Sequence, residues 1–401
     1  MTVKNKKINS ILLIDIPTYQ VQLPEDHRAL LKERLNHQSI QIEQRLQKKI
    51  IRPSLNYSRG LLIIAANLLA QGYTVHYYNY SDPVDREKMY DRAHEIDLIG
   101  ITSYTATVKI AATICRSFKN INKSILSVLG GPHANFMQLE TLLDFPEFDF
   151  VMKGDFLLDF LHNLNTGKHL EDVPGLGYRI GKDIYCNPAI RKQNGRVPIT
   201  MPAYALLTRP VGEYAHNVRT LMGCPYKCLF CVDQKTIDEN PSLSLTAEQV
   251  FTELDWLSRR VPAGSLIHFS DSIFNLQEDR TLEIVDRLKM IANEVCYSFD
   301  TRVDLVKPEE LRRLSKANFY YCRIGIENND SLILSNISKL IDVKTQINAC
   351  QMIRKVAPSM AIHGYYIIGL PGSTMDSMEK SAQFVQDLIT TDAVDVIGNK
   401  V

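Results

Sequence analysis

The charges of this sequence nearly cancel. The 46 lysines and arginines face 45 aspartates and glutamates, which leaves a formal charge of +1. That balance gives no electrostatic case for a nucleic acid or a membrane surface as partner. Long hydrophobic runs are also lacking. Nothing approaches the roughly 20 apolar residues that span a bilayer, and the stretch Met1 to Ser10 is too polar for a signal peptide. A cytoplasmic protein is therefore expected. A disulfide framework is missing too, because Cys115, Cys186, Cys296, Cys322 and Cys350 are scattered through a long chain as reduced thiols would be. These five form no second cluster motif either. No Gly-x-Gly-x-x-Gly follows the first strand-like run, which disfavours a nicotinamide cofactor. What remains is an ordinary globular composition, 45% hydrophobic and 23% charged, over 401 residues, enough for two domains.

The most informative stretch is Met222-Gly223-Cys224-Pro225-Tyr226-Lys227-Cys228-Leu229-Phe230-Cys231. Its three thiols are spaced Cys-x3-Cys-x2-Cys, and Gly223 and Pro225 make it a loop. Such a loop can wrap three thiolates around one corner of a cuboidal iron–sulfur cluster and leave the fourth iron open. A structural zinc site would need a fourth Cys or His at finger-like spacing, and His216 and His268 do not supply it.

The first half alternates strands and helices. Ile8 to Ile16 reads as a buried strand stopped by Pro17, and Leu61 to Gln71 as an apolar helix closed by Gly72. Further strands are expected at Thr74 to Tyr78, Asp97 to Thr102, Ser124 to Leu129 and Phe150 to Lys153, with helices at Val108 to Phe118 and Phe156 to Leu164. This rhythm predicts a doubly wound, Rossmann-like parallel sheet over residues 1–165. Ligands of such sheets bind beyond the carboxyl ends of the strands. Here those ends carry Pro17, then Thr102-Ser103-Tyr104, then Gly130-Gly131-Pro132-His133, then Gly154. The charged helical stretch Leu30 to Ile51 is expected to be a solvated surface helix, with a lid or a subunit contact as the alternative. Residues 166–212, rich in Gly, Pro and charge, are expected to bridge the domains, with a hairpin around Gly181.

Alternation resumes over 213–401. Asn217 to Leu221 is a strand that delivers the cysteine loop, and Thr246 with Gln249 three residues on opens a helix with a capping box. Strands at Leu266 to Ser270, Cys296 to Thr301, Tyr320 to Ile326, Ala361 to Ile368 and Ala393 to Ile397 alternate with helices and predict a partial (β/α)6 barrel. Its chemistry should sit at the carboxyl ends of the strands. The last strand is barely begun when the sequence stops at Val401, so a truncated chain is also considered.

Two resemblances follow from these residues. The first half, with its strand ending in Pro17, Gly60-Leu61-Leu62, Ala65-Ala66, Gly72-Tyr73 and Gly130-Gly131-Pro132-His133, resembles the cobalamin-binding domain fused to many radical S-adenosylmethionine (SAM) enzymes. The Asp-x-His-x-x-Gly signature of other cobalamin proteins is absent, so the resemblance implies cobalamin held without that lower histidine. His133 is open to two readings, a cobalt ligand or a loop histidine. The second half resembles the radical SAM superfamily over nearly its whole length. The resemblance implies that Cys224, Cys228 and Cys231 hold a 4Fe–4S cluster and that Phe230 packs near adenine. It further implies that Ser270 and Asp271 meet the methionyl amine, that Glu327 contacts SAM polar groups, and that Ile368 and Gly369 line the adenine. Asp271 alternatively caps the next turn, and Glu327 is alternatively a surface carboxylate. Arg323 and Tyr365 are candidates for contacts to SAM or substrate; for Arg323 a structural ion pair stands beside that reading.

The implied activity is reductive cleavage of SAM to methionine and a 5′-deoxyadenosyl radical, with an external electron donor such as flavodoxin or ferredoxin. With cobalamin, the leading reaction is C-methylation of an unactivated carbon of a small metabolite. Rearrangement, ring contraction, cyclisation or dehydrogenation without methyl transfer is the alternative, and a non-catalytic iron–sulfur carrier or sensor is the rival from another class.

Overall fold

The computed structural model describes residues 7–17, 40–189, 200–232, 243–291 and 294–400, together with Glu33 and His37. Among them no helix is long and apolar enough to cross a membrane. The chain forms two compact units, Met1–Leu23 with Ser54–Tyr214, and Pro24–Pro53 with Ala215–Val401.

The first unit is a seven-stranded sheet built from β1 (Ser10–Asp15), β2 (Thr74–Asn79), β3 (Leu98–Thr102), β4 (Leu126–Gly130), β5 (Phe150–Met152), β6 (Leu176–Ile180) and β7 (Asp183–Cys186), in the order β2-β1-β3-β4-β5-β6-β7. The first five strands are parallel. The apolar run of β1 is buried on both faces because helices cover both sides of the sheet. In the helix Val108–Ile121 the buried residues Val108, Ala111, Ala112, Cys115 and Phe118 recur every three or four positions and pack on Leu12, Ile14, Ile99 and Ile101. The helix Arg59–Ala70 starts where Ser58 Oγ accepts from Leu61 N at 3.3 Å and ends before Gly72, whose φ of +87° suits glycine. Strand order leaves β1 in both directions, so the topological switch point lies between β1 and β3.

The expected bridge turns out to be largely part of this unit. β6 and β7 form a hairpin around Gly181 and add antiparallel to β5. Farther on, the rings of Tyr204 and Tyr214 meet Tyr57 edge-on at 5.8 and 5.9 Å. Its stretch 190–199 lies outside the described residues.

The second unit contains β8 (His216–Val218), the short pair β9 (Leu221–Met222) and β10 (Leu243–Ser244), then β11 (Leu266–Phe269), β12 (Cys296–Arg302), β13 (Phe319–Glu327), β14 (Ala361–Ile367) and β15 (Val396–Lys400). The main sheet runs β8-β11-β12-β13-β14-β15, all parallel, with a helix after each of β11 to β14: Glu278–Leu288, Pro308–Lys316, Val343–Val356 and Met375–Thr390. This is the partial barrel. Between barrel strand and helix, Phe269, Phe274, Tyr297, Phe299 and Phe319 form one aromatic core.

One expectation is corrected here. Of the stretch Leu30 to Ile51, residues 30–32, 34–36, 38 and 39 lie outside the described residues; residues 40–46 are helical, yet they are no solvated surface helix. Ile42, Leu46 and Ile50 pack with Leu266, Tyr321, Ala361 and Val396, at or near the amino ends of β11, β13, β14 and β15. Ile51 N donates to Gly264 O at 2.9 Å and Leu266 N donates to Ile51 O at 3.0 Å, while Arg45 pairs with Asp395 at 2.8 Å. The charges ring the segment; its apolar side plugs the barrel floor. Burying an isoleucine there contributes about 2 kcal/mol.

Candidate active site

At the carboxyl end of the barrel the cysteine loop leaves β9 through Gly223, whose φ of +115° a side chain would strain. The start of the loop is clamped from below. Asp271, fully buried just past β11, accepts from Thr220 N at 2.6 Å and Leu221 N at 2.8 Å with one oxygen and from the Thr220 hydroxyl at 2.6 Å with the other. Arg280 Nη2 donates to Thr220 O at 2.8 Å. Burial raises the Asp271 carboxyl, against the hydrogen bonds from Thr220 and Leu221. Asp271 is thus engaged in holding the loop's root. Ser270 N donates to Val218 O at 3.0 Å and joins the ends of β11 and β8.

The cysteines themselves are tied by two later elements. Arg302, the last residue of β12, lies over the Tyr226 ring at 3.6 Å and directs Nη1 at Cys228 Sγ, 3.8 Å away. Leu229 N donates to Ile337 O at 3.0 Å, and Cys231 N to Cys228 O at 3.0 Å. Burial raises the Cys224 thiol, and the neighbouring Cys231 and Cys228 add to the rise. Among the described residues no three His, Cys, Asp or Glu side chains converge on a point for one metal ion. Three thiols on one short loop are the donor set of a cuboidal cluster, whose ligands bind separate irons. Phe230 and Ile368 are 40% and 45% exposed, so both side chains are open to a flat ligand.

Glu327 ends β13 with a φ of +67°, at a register shift between β13 and β14. A left-handed glutamate costs about 1–3 kcal/mol and persists only where its surroundings hold it. Buried Lys339 does so, bonding Glu327 Oε1 and Gly325 O at 2.8 Å each. Gly325 makes the room, since a Cβ there would lie 2.3 Å from Glu327 Oε1 and 2.7 Å from Lys339 Nζ. Glu327 is therefore a buried, positioned carboxylate. Gly369 follows with a φ of +80° and open space where a side chain would be.

Arg323 forks onto Asp300, its register partner on β12, at 2.6 and 3.0 Å, and its guanidinium lies 5.8 Å from the Tyr365 ring. His268 Nδ1 bonds Ser298 Oγ at 2.9 Å, and burial with Arg323 near by holds the imidazole well down, hence neutral. Of the two roles open to Arg323, the structure shows the ion pair. The free thiols of Cys296 and Cys322 are fully buried packing groups. Sequence reasoning missed Arg302, Lys339 and Asp300. For Arg302 one signal existed: it shares a strand face with Ser298 and Asp300 by the two-residue period.

The first unit gathers its candidates at the switch point and beside it. Pro17 is buried after β1, and Thr102, Ser103 and Tyr104 close β3. Ser103 N donates to Gly130 O at 3.2 Å and His133 N to Ser103 O at 3.1 Å, so the ends of β3 and β4 are joined. Gly131, at φ +87°, lets them approach; a Cβ would sit 2.3 Å from Thr102 Oγ1. Pro132 opens the short helix Pro132–Phe136, and Gly154 N donates to Asn135 Oδ1 at 2.9 Å. The His133 imidazole, lowered by burial, bonds Thr105 Oγ1 through Nδ1 at 3.0 Å. Its Nε2 and the Ser103 Oγ are both buried without a hydrogen-bond partner. Buried polar atoms are nearly always bonded, so two such orphans joined at strand ends fit a ligand that brings polar groups of its own, as cobalamin does.

Fold and site together define a two-domain α/β protein: a doubly wound sheet with a ligand cradle, then a parallel partial barrel that presents a three-cysteine loop. The family comparisons name the same two parts. Residues 52–156 match the B12 binding domain and residues 218–385 the radical SAM superfamily, so the two parts of the chain belong to these two families. It is 28% identical over 303 residues to an uncharacterized methyltransferase of Pyrococcus horikoshii, covering 73% of this chain and 64% of the relative. To the anaerobic magnesium-protoporphyrin IX monomethyl ester cyclase of Rubrivivax gelatinosus it is 24% identical over 307 residues, covering 73% of this chain and 54% of the relative. The chain thus spans 64% and 54% of the lengths of these curated relatives. The fold resembles the radical SAM methyltransferase TsrM of Kitasatospora setae, with a TM-score of 0.72, 13% identity, and coverage of 98% of this chain and 73% of that one.

Proposed function

We propose that this protein is a cobalamin-dependent radical SAM enzyme that methylates an unactivated carbon of a small molecule. The observation that carries the reading is a three-cysteine loop, clamped at the carboxyl ends of barrel strands, in a chain whose first domain matches a B12-binding family. When bound, the cluster supplies an electron that cleaves SAM to a 5′-deoxyadenosyl radical, and cobalamin supplies a methyl group. The chain's own residues orient. Cys224, Cys228 and Cys231 would hold the cluster. Glu327, fixed by Lys339, would receive the SAM amine, and Gly369 and Ile368 would offer backbone and an apolar face to adenine. Ser103 and His133 would bond polar groups of cobalamin. An external donor such as flavodoxin or ferredoxin would deliver the electron.

The similarity to a cyclase supports a second reading, radical cyclisation without methyl transfer. Stoichiometry separates the two. Methylation consumes one SAM as radical source and a second as methyl donor, so it yields 5′-deoxyadenosine and S-adenosylhomocysteine together. Cyclisation yields no S-adenosylhomocysteine. The test is oxygen-free reconstitution with iron, sulfide and cobalamin, followed by product analysis with SAM and a reductant. Protein that binds iron but takes up no cobalamin and forms no S-adenosylhomocysteine would sink the methyltransferase reading.

A further inference from the structure

We infer that Arg302 tunes the reduction potential of the cluster through Cys228, with Asp304 as its counterweight. The inference rests on the reading that the three cysteines hold a cluster.

Arg302 donates to one of those thiols, Nη1 lying 3.8 Å from Cys228 Sγ. Its placement is over-determined. Nε and Nη2 fork onto Asp304 at 3.0 Å each, and the guanidinium plane stacks on Tyr226 at 3.6 Å, inside the loop itself. The side chain is almost fully buried, so water screens the charge weakly. A fully paired arginine packed for structure alone would use its donors on carboxylates and carbonyls. Here two faces of the fork serve Asp304, and the remaining amine is turned on sulfur.

Hydrogen bonds to the sulfurs and nearby charge are among the factors that set iron–sulfur potentials. Reduction adds one electron to the cluster, so a cation beside a ligating sulfur stabilises the reduced form and raises the potential. Asp304 opposes it. The two residues therefore predict shifts of opposite sign, which a packing role does not.

The experiment is an anaerobic redox titration of reconstituted full-length protein without SAM, followed by electron paramagnetic resonance, with iron counted in parallel. Arg302→Met should disfavour reduction at least tenfold, a shift of about −59 mV for one electron. Asp304→Asn should favour it, shifting the potential upward. Arg302→Lys keeps the charge but loses the fork and the stack, and it should stay within about threefold of the parent. If Arg302→Met loses its iron, the other two variants decide, because both keep the cation. An Asp304→Asn potential that is unmoved or lower overturns the inference. Parent protein that binds no iron overturns the cluster reading instead, so the two failures are distinguishable.

Discussion

Replacing Asp271 separates two roles that its position in the sequence leaves open. Were it a direct contact to SAM, its loss would weaken SAM binding in an otherwise sound protein. The structure instead has both its oxygens bonded to Thr220 and Leu221 at 2.6 to 2.8 Å, in a fully buried pocket. Asp271→Ala orphans two backbone N–H groups there, at about 1–3 kcal/mol each, for a loss of about 2–6 kcal/mol. Asp271→Asn keeps one acceptor oxygen for both N–H groups. Burial already penalises the ionised carboxylate, so the amide should cost less, about 1–2 kcal/mol. The assay is urea unfolding of cluster-free protein followed by tryptophan fluorescence. The chain has a single tryptophan, Trp256, in the helix Ala247–Ser258 of the barrel unit, so the signal reports that unit. Asp271→Ala that unfolds within about 0.5 kcal/mol of the parent would refute the anchoring role.

Gly131→Ala should lower cobalamin uptake at least tenfold while iron content holds, because its Cβ would meet Thr102 Oγ1 at 2.3 Å and Ser103 backbone atoms at 3.1 Å; equilibrium dialysis against cobalamin checks this, and unchanged uptake contradicts it. Burial raises Asp15 from the usual 3.8 to about 7, so the folded protein keeps a proton that the unfolded chain releases. The stability this proton contributes is full below pH 4 or so and is lost as pH rises towards 7, at up to about 1.4 kcal/mol per pH unit. Asp15→Asn, which can still accept from the Tyr77 hydroxyl, should flatten the dependence of stability on pH between 4 and 7; identical slopes in the two proteins would count against it. Ile42→Ala should destabilise the barrel unit by about 2–5 kcal/mol, read by Trp256 fluorescence, whereas a solvated helix would lose almost nothing.

Much of the fold was legible because its signals are local. Buried strands such as Ile11 to Ile14 are continuous apolar runs, the Thr246–Gln249 capping box announces its helix, and Gly181 marks the hairpin turn. The described part of the stretch Leu30 to Ile51 departs from expectation because most of its residues are charged or polar; Ile42, Leu46 and Ile50 find their partners more than 200 positions away, beyond any local periodicity. The bridge was misread for a similar reason, since β6 pairs with β5 only after a loop and a helix intervene. In the candidate site the cysteines, Glu327 and the Gly130–His133 turn stand out by residue type. Lys339 and Arg302 do not, because a lone Lys after a short helix and a lone Arg at a strand end look like surface charges.

That difference follows from what the site requires. A three-cysteine loop alone is a short, glycine- and proline-bearing chain, and ordering it costs about 1–2 kcal/mol per residue in backbone entropy. Ligand residues cannot offset that cost before the cluster is present. The structure assigns the work to three tethers from successive parts of the barrel: Asp271 after β11, Arg302 at the end of β12, and Ile337 beyond β13. Each reaches a different part of the loop, its root, its second cysteine and the residue after that cysteine. The first two span 51 and 74 positions in sequence. Such tethers are visible only once the strands are in order, which is why the chemistry of the loop can be read from its spacing and its rigidity cannot. Glu327 is likewise held in advance. Its strained backbone is tolerable because Lys339 and the missing side chain of Gly325 fix it before any ligand arrives, so binding energy is not consumed in placing it.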